Sequence, residues 1–140
     1  MNRPMNEIIR HQRPVCMAPG ATVQDACRAM HEARVGAILV TEAAGRLLGI
    51  FTGWDLVRLA ASGAQPEVTP LETAMTPEPD CLPPYCTAID ALRLMRDGGF
   101  RHVPITDRFG RVIGIVSPGD FRGLEQDRLD EEIGLWERMR

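Results

Sequence analysis

Two hydroxyl–carboxylate pairs stand at equivalent points of the chain, Thr52 with Asp55 and Ser117 with Asp120. Each follows an apolar run broken by one glycine, RLLGIF at Arg46–Phe51 and RVIGIV at Arg111–Val116. A Ser/Thr-x-x-Asp box at the end of a strand marks a helix N-terminus. Such a terminus presents backbone N–H groups without intrahelical partners and carries partial positive charge. The hydroxyl and carboxylate can close the helix, a role worth about 0.5–2 kcal/mol. They can equally hold a ligand that carries vicinal hydroxyls and a phosphate. The spacing leaves both uses open, and two copies make two candidate sites.

Other chemistry is poorly served. All 16 basic residues are Arg, which removes Schiff-base and P-loop lysine chemistry together. Cys16, Cys27, Cys81 and Cys86 follow neither CxxC nor Cys/His metal spacing, so reduced thiols and no metal are expected. Cys16 and Cys81 hold matched strand positions and are expected as small buried hydrophobes. Besides Ser117 the chain has only Ser62, in a turn-rich stretch, so no Ser-His-Asp set can be assembled and no enzyme is expected. His11 and His31 have no identifiable partner and read as solvated. The net charge of −3 argues against a nucleic-acid surface. No apolar run approaches the ~20 residues of a membrane span, and Met1–Arg13 lacks a hydrophobic signal core, so the expected location is cytoplasmic.

The elements that must position the two boxes repeat at an offset of 65 residues. At that offset Pro14 falls on Pro79, Cys16 on Cys81, Thr22 on Thr87 and Asp25 on Asp90. Gly49 falls on Gly114, Ile50 on Ile115 and Asp55 on Asp120, without a gap. In the first copy Pro14–Met17 reads as a short strand, and Thr22–Asp25 as a capping box opening a helix that ends near His31–Arg34. Ala37–Thr41 and Arg46–Phe51 form a hairpin, and Thr52 opens a helix to about Ala61. The second copy predicts a strand at Asp80–Leu82, a helix at Thr87–Asp97, strands at His102–Thr106 and Arg111–Val116, and a helix from Gly119. Pro104 within a strand implies an edge position, or a neighbour that needs no N–H.

These parts divide the chain into a leader (1–13), a first repeat (14–61), a linker (62–74), a second repeat (75–123) and a C-terminal helix (124–140). That last helix carries an apolar stripe at Leu129, Ile133 and Trp136, suited to its own domain, a dimer mate or an output partner. Neither repeat can cover both faces of its sheet alone. The expected fold is therefore α/β (α+β), two βαββα repeats packed sheet to sheet about a pseudo-two-fold axis.

Two such repeats, each closing on Gly-Ile-x-[Thr/Ser]-x-x-Asp, resemble a tandem pair of CBS domains, a Bateman module. The resemblance rests on VGAILVTEAAGRLLGIFTGWDLVR and GGFRHVPITDRFGRVIGIVSPGDF and covers residues 6–123. It implies a regulatory module binding AMP, ADP or ATP, or in some members S-adenosylmethionine or NAD, in two clefts between the repeats, with no cofactor beyond that ligand. One cleft would use Ile115, Ser117 and Asp120, with Thr22 and the backbone of Val35, Gly36 and Ala37 opposite. The other would use Ile50, Thr52 and Asp55, with Thr87 and the backbone of Phe100 and Arg101 opposite. By the same resemblance, Arg101 and His102 face the phosphates of the ligand beside Asp120. The Asp55 cleft lacks that basic pair at the matched Gly36-Ala37 and is expected to be weaker, empty or suited to an uncharged adenosyl group. The Trp54 ring either stacks on an adenine or covers apolar surface at the repeat boundary.

The expected function is a non-catalytic sensor of adenine nucleotides, a homodimer by resemblance, passing occupancy to a partner or output domain. Two alternatives remain: a ligand-silent dimerisation or interaction scaffold, and the regulatory fragment of a larger enzyme or transporter.

Overall fold

Alternation along the strands decides how the layers stack. The computed structural model of the chain describes residues 3–121. In β2 (Ala37–Thr41), successive side chains point to opposite faces of the sheet, as pleating requires. Ile38 and Val40, with Phe51 of β3 (Leu47–Thr52), pack among Val23 and Ala26 of α2 (Val23–Ala33) and Leu59 of α3 (Gly53–Ser62). Ala37, Leu39 and Ile50 face the other way and meet Val112 and Ile115 of the second half. The second half repeats the scheme. Val103 and Ile105 of β5 (Val103–Thr106) and Val116 of β6 (Val112–Val116) bury against α5 (Ala88–Gly98). Two sheets thus share a middle core, with helices outside.

The pseudo-two-fold axis passes between two arginines. Arg46 and Arg111, related by the repeat offset, form an antiparallel bridge with each other. Leu47 N–H donates to Gly110 O at 2.9 Å, and Val112 N–H to Gly45 O at 3.0 Å. Gly45 and Gly110 have φ of +90° and +78°, a left-handed backbone that other residues adopt at a cost.

The first sheet has four strands in the order β1 (Cys16–Met17), β2, β3, β4 (Thr76–Pro77), with β1 parallel to β2 and the others antiparallel. The second keeps only the β5–β6 hairpin, and the strand expected at Asp80–Leu82 is reduced to a single bridge from Leu82 to Ile105. Pro104 is the reason. In the first half Leu39 N–H donates to Val15 O at 2.9 Å. Its counterpart Pro104 has no N–H to offer Asp80, and one rung of the ladder is missing.

The stretches before each repeat are not spacers. α1 (Met5–Ile8) packs into the second half, where Met5 and Ile9 are buried beside Ile89, Leu92 and Val116. α4 (Leu71–Ala74), inside the expected linker, packs Leu71 and Ala74 into the first half. Close approach explains the matched strand glycines. A Cβ on Gly114 would lie 2.7 Å from Ile9 Cγ2, and one on Gly49 would collide with the Met75 side chain and approach Thr76 O at 2.9 Å. Gly114→Ala is therefore expected to lower the unfolding free energy by about 1–3 kcal/mol in a denaturant titration. An unchanged midpoint would mean that Ile9 moves aside freely.

Two further expectations change. Cys16 and Cys81 are exposed rather than buried: Cys16 lies in the two-residue edge strand β1, and Cys81 lies outside any strand, next to the Leu82 bridge. The helix expected from Gly119 is a single 3-10 turn, Pro118–Asp120, after which Phe121 is extended with φ −103° and ψ 146°. The expected helix at 124–140 lies outside the described residues. Among the described residues no helix is long and apolar enough to cross a membrane.

Candidate ligand-binding site

Each box closes the carboxyl end of a strand on the sheet face that meets the other half, so both boxes look into inter-repeat space. Two cavities open there. One, of about 340 Å³, is lined by Ile115, Ser117 and Asp120 from the second half and Val35, Gly36 and Ala37 from the first. The other, of about 620 Å³, is lined by Ile50, Thr52 and Asp55 on one side and Phe100 and Arg101 on the other. Both volumes suit a small-molecule site, for which roughly 300–1,000 Å³ is usual.

Thr22 and Thr87 line neither cavity. Thr22 Oγ1 accepts from Asp25 N–H at 3.1 Å, and Thr87 Oγ1 accepts from Asp90 N–H at 3.5 Å, so both serve as helix caps. Pro14 and Val15 line the Asp120 cavity in the position expected for Thr22, and Pro79 and Asp80 line the Asp55 cavity in the position expected for Thr87. The wall comes from the extended segment before each capping box, because the box itself starts its helix.

The two carboxylates are in different states. Asp55 is 2% exposed and fully engaged. Its Oδ1 accepts from Arg58 Nη2 at 2.7 Å and Thr76 Oγ1 at 2.8 Å. Its Oδ2 accepts from Thr52 N–H at 2.8 Å and Thr52 Oγ1 at 3.2 Å. Arg58 also donates to Ala74 O at 3.1 Å, tying α3 to α4. A ligand hydroxyl reaching Asp55 would have to displace one of these donors.

Asp120 is half-buried, and only its Oδ2 is used, accepting from Ser117 N–H at 2.7 Å and Ser117 Oγ at 3.3 Å. Among the described residues Oδ1 has no hydrogen-bond donor, which leaves it free to accept from a ligand. The contrast is written in the sequence, since the repeat places Gly123 where Arg58 stands.

Charge divides the clefts differently from the expectation. Arg101 lines the Asp55 cavity and not the Asp120 cavity, while His102, with Gly36, lines both. Successive residues entering β5 point in different directions, and the basic pair is split. The Asp120 cavity draws its basic groups from Arg13 and Arg34, and in the Asp55 cavity Arg101 faces three carboxylates, Asp55, Glu78 and Asp80. His102 has its pKa lowered by burial and by the Arg101 charge, against a smaller opposing pull from Asp120. It is neutral at pH 7. Trp54 lines the Asp55 cavity yet is 74% exposed, so it covers little apolar surface.

Gln12, Arg13 and Arg34 lie outside the set expected from the repeat. Gln12 Oε1 accepts from Ile115 N–H at 3.0 Å, serving the β6 edge that β4 serves for β3 in the first half. Arg3 Nη2 donates to Asp120 O at 3.1 Å. The N-terminal segment thus builds part of the Asp120 cleft. Only the Arg34/Gly99 mismatch in the repeat signals any of this in the sequence.

Two βαββα halves packed sheet to sheet, with paired clefts at their strand-to-helix junctions, make a tandem pair of like domains. The chain belongs to the CBS domain family, whose profile matches residues 6–62 and 70–126, a tandem pair. CBS domain-containing protein CBSCBSPB3 of Arabidopsis thaliana is 34% identical over 110 residues, 78% of this chain. The chain spans only about a fifth of that relative's length, 20%. CBS domain-containing protein YhcV of Bacillus subtilis is 33% identical over 104 residues, covering 74% of this chain and 73% of the relative. Among solved structures, the CBS domain protein PAE2072 of Pyrobaculum aerophilum, complexed with AMP, superposes with a TM-score of 0.82 at 21% identity, over 92% of this chain and 99% of that one. The cytosolic domain of the Mg2+ channel MgtE, in complex with ATP, gives 0.65 at 28% identity over 76% of this chain and 43% of that one.

Proposed function

We propose that the chain is a non-catalytic sensor of adenosine-containing ligands, with a phosphorylated one held in the Asp120 cleft. The observation that carries this is Oδ1 of Asp120, which has no hydrogen-bond donor among the described residues, in a cleft also lined by two arginines. A carboxylate oxygen with open lone pairs suits the paired hydroxyls of a ribose, and guanidinium groups suit phosphate. The ATP bound by the 28% identical MgtE domain supports the same ligand class here. The Asp55 cavity, with its carboxylate engaged and three carboxylates against one arginine in its lining, suits an adenosyl group without phosphate. Occupancy would shift the balance between two geometries of the paired halves and be passed to a dimer mate or an output domain.

A thermal-shift panel of AMP, ADP, ATP, NAD and S-adenosylmethionine tests this. A ligand at about 100 times its dissociation constant adds about 2.7 kcal/mol, which raises Tm by several degrees. At least one of the five is expected to do so. No shift with any of them would leave a ligand-silent scaffold as the better account.

A further inference from the structure

We propose that Arg34 is the residue that selects for phosphate in the Asp120 cleft, an inference that rests on the nucleotide reading above. Arg34 caps α2 with φ 55° and ψ 45°, in the left-handed region. Its N–H donates to the carbonyls of Met30 and His31, and that closure requires left-handed backbone. Glycine meets the requirement without strain, and the second half uses it: Gly99, at the repeat-equivalent position, caps α5 with φ 70° and ψ 25°. The first half places an arginine there instead, against local preference.

The fold gains little from that side chain. Arg34 is exposed, and among the described residues its guanidinium makes no hydrogen bond or ion pair. A positive charge near a helix C-terminus is mildly favourable, but any basic residue within the last turn would supply it without strain. What the position does supply is location. Arg34 lines the Asp120 cavity, one residue before the Val35–Ala37 segment that forms the wall facing Asp120. With Asp120 taking the ribose hydroxyls, the planar fork of Arg34 is free to take phosphate oxygens at the other end of the ligand. Arg13, from the N-terminal segment, lines the same cavity. It carries no comparable strain.

The test compares AMP with adenosine by isothermal titration calorimetry on the full chain, as wild type, Arg34→Gly and Arg34→Lys. Wild type is expected to prefer AMP. Arg34→Gly should weaken AMP by about ten-fold or more while adenosine stays within about two-fold, because only the charge-assisted contact is lost. Its Tm should not fall, since glycine suits the cap, and Arg34→Lys should keep part of the preference. An unchanged AMP affinity in Arg34→Gly overturns the assignment, as does an equal loss of AMP and adenosine, which would mark a residue that only shapes the wall. Wild type binding neither compound removes the nucleotide reading and this inference with it. Wild type binding AMP beside an unaltered Arg34→Gly removes this inference alone.

Discussion

Met5→Ala is expected to cost about 2–5 kcal/mol of unfolding free energy, the usual range for emptying a buried methionine site. Met5 is 0% exposed, and α1 sits where α4 sits in the other half, filling the gap between the sheet and its helix. Two further bonds come from the same segment, Gln12 to the Ile115 amide and Arg3 to the Asp120 carbonyl. A chain starting at Pro14 loses all of these together, a deficit comparable with the roughly 5–15 kcal/mol that holds a typical domain folded. It should give no cooperative unfolding transition. A truncated chain melting within a few degrees of the parent would show α1 to be peripheral.

The two box carboxylates are expected to fail in opposite ways. Asp55→Ala should lower the unfolding free energy by about 2–4 kcal/mol, because it strips a cap and leaves Thr76 and Arg58 without their acceptor. Arg58 keeps much of its side chain in water, at 56% exposure, which holds the cost below that of an enclosed ion pair. Asp120→Ala should cost about 1 kcal/mol of stability, a cap's worth, but weaken AMP by about 10–100-fold through the lost ribose contacts. Denaturant titration and calorimetry on both variants decide the matter. A stable Asp55→Ala that no longer binds nucleotide would reverse the assignment.

The hairpins and the three long helices of the described residues were legible because each is set by local pattern, and the sheet-to-sheet stacking because neither sheet could be covered by its own half. Ala37–Val40 is a continuous apolar run, which requires cover on both faces of the sheet, and Thr22 and Thr87 open their helices with capping boxes. The exchange of α1 and α4 between halves was not legible. A four-residue helix leaves no periodicity, and its destination is fixed by the hole it fills. The split of Arg101 from His102 was hidden for a related reason: a resemblance aligns backbones, while side-chain direction at a strand's first residues follows local twist. The most informative positions proved to be those where the repeat fails. Arg58 against Gly123 separates an engaged carboxylate from a freer one, and Arg34 against Gly99 marks a charge placed where glycine would have served.

Because α1 precedes the first half yet completes the second, and α4 precedes the second yet completes the first, the duplicated build does not divide into two independent units. Loosening either half withdraws the plug that closes its neighbour. Thermal disorder should therefore spread through both at once, in a single melting step, and tightening one cleft should stiffen the wall of the other.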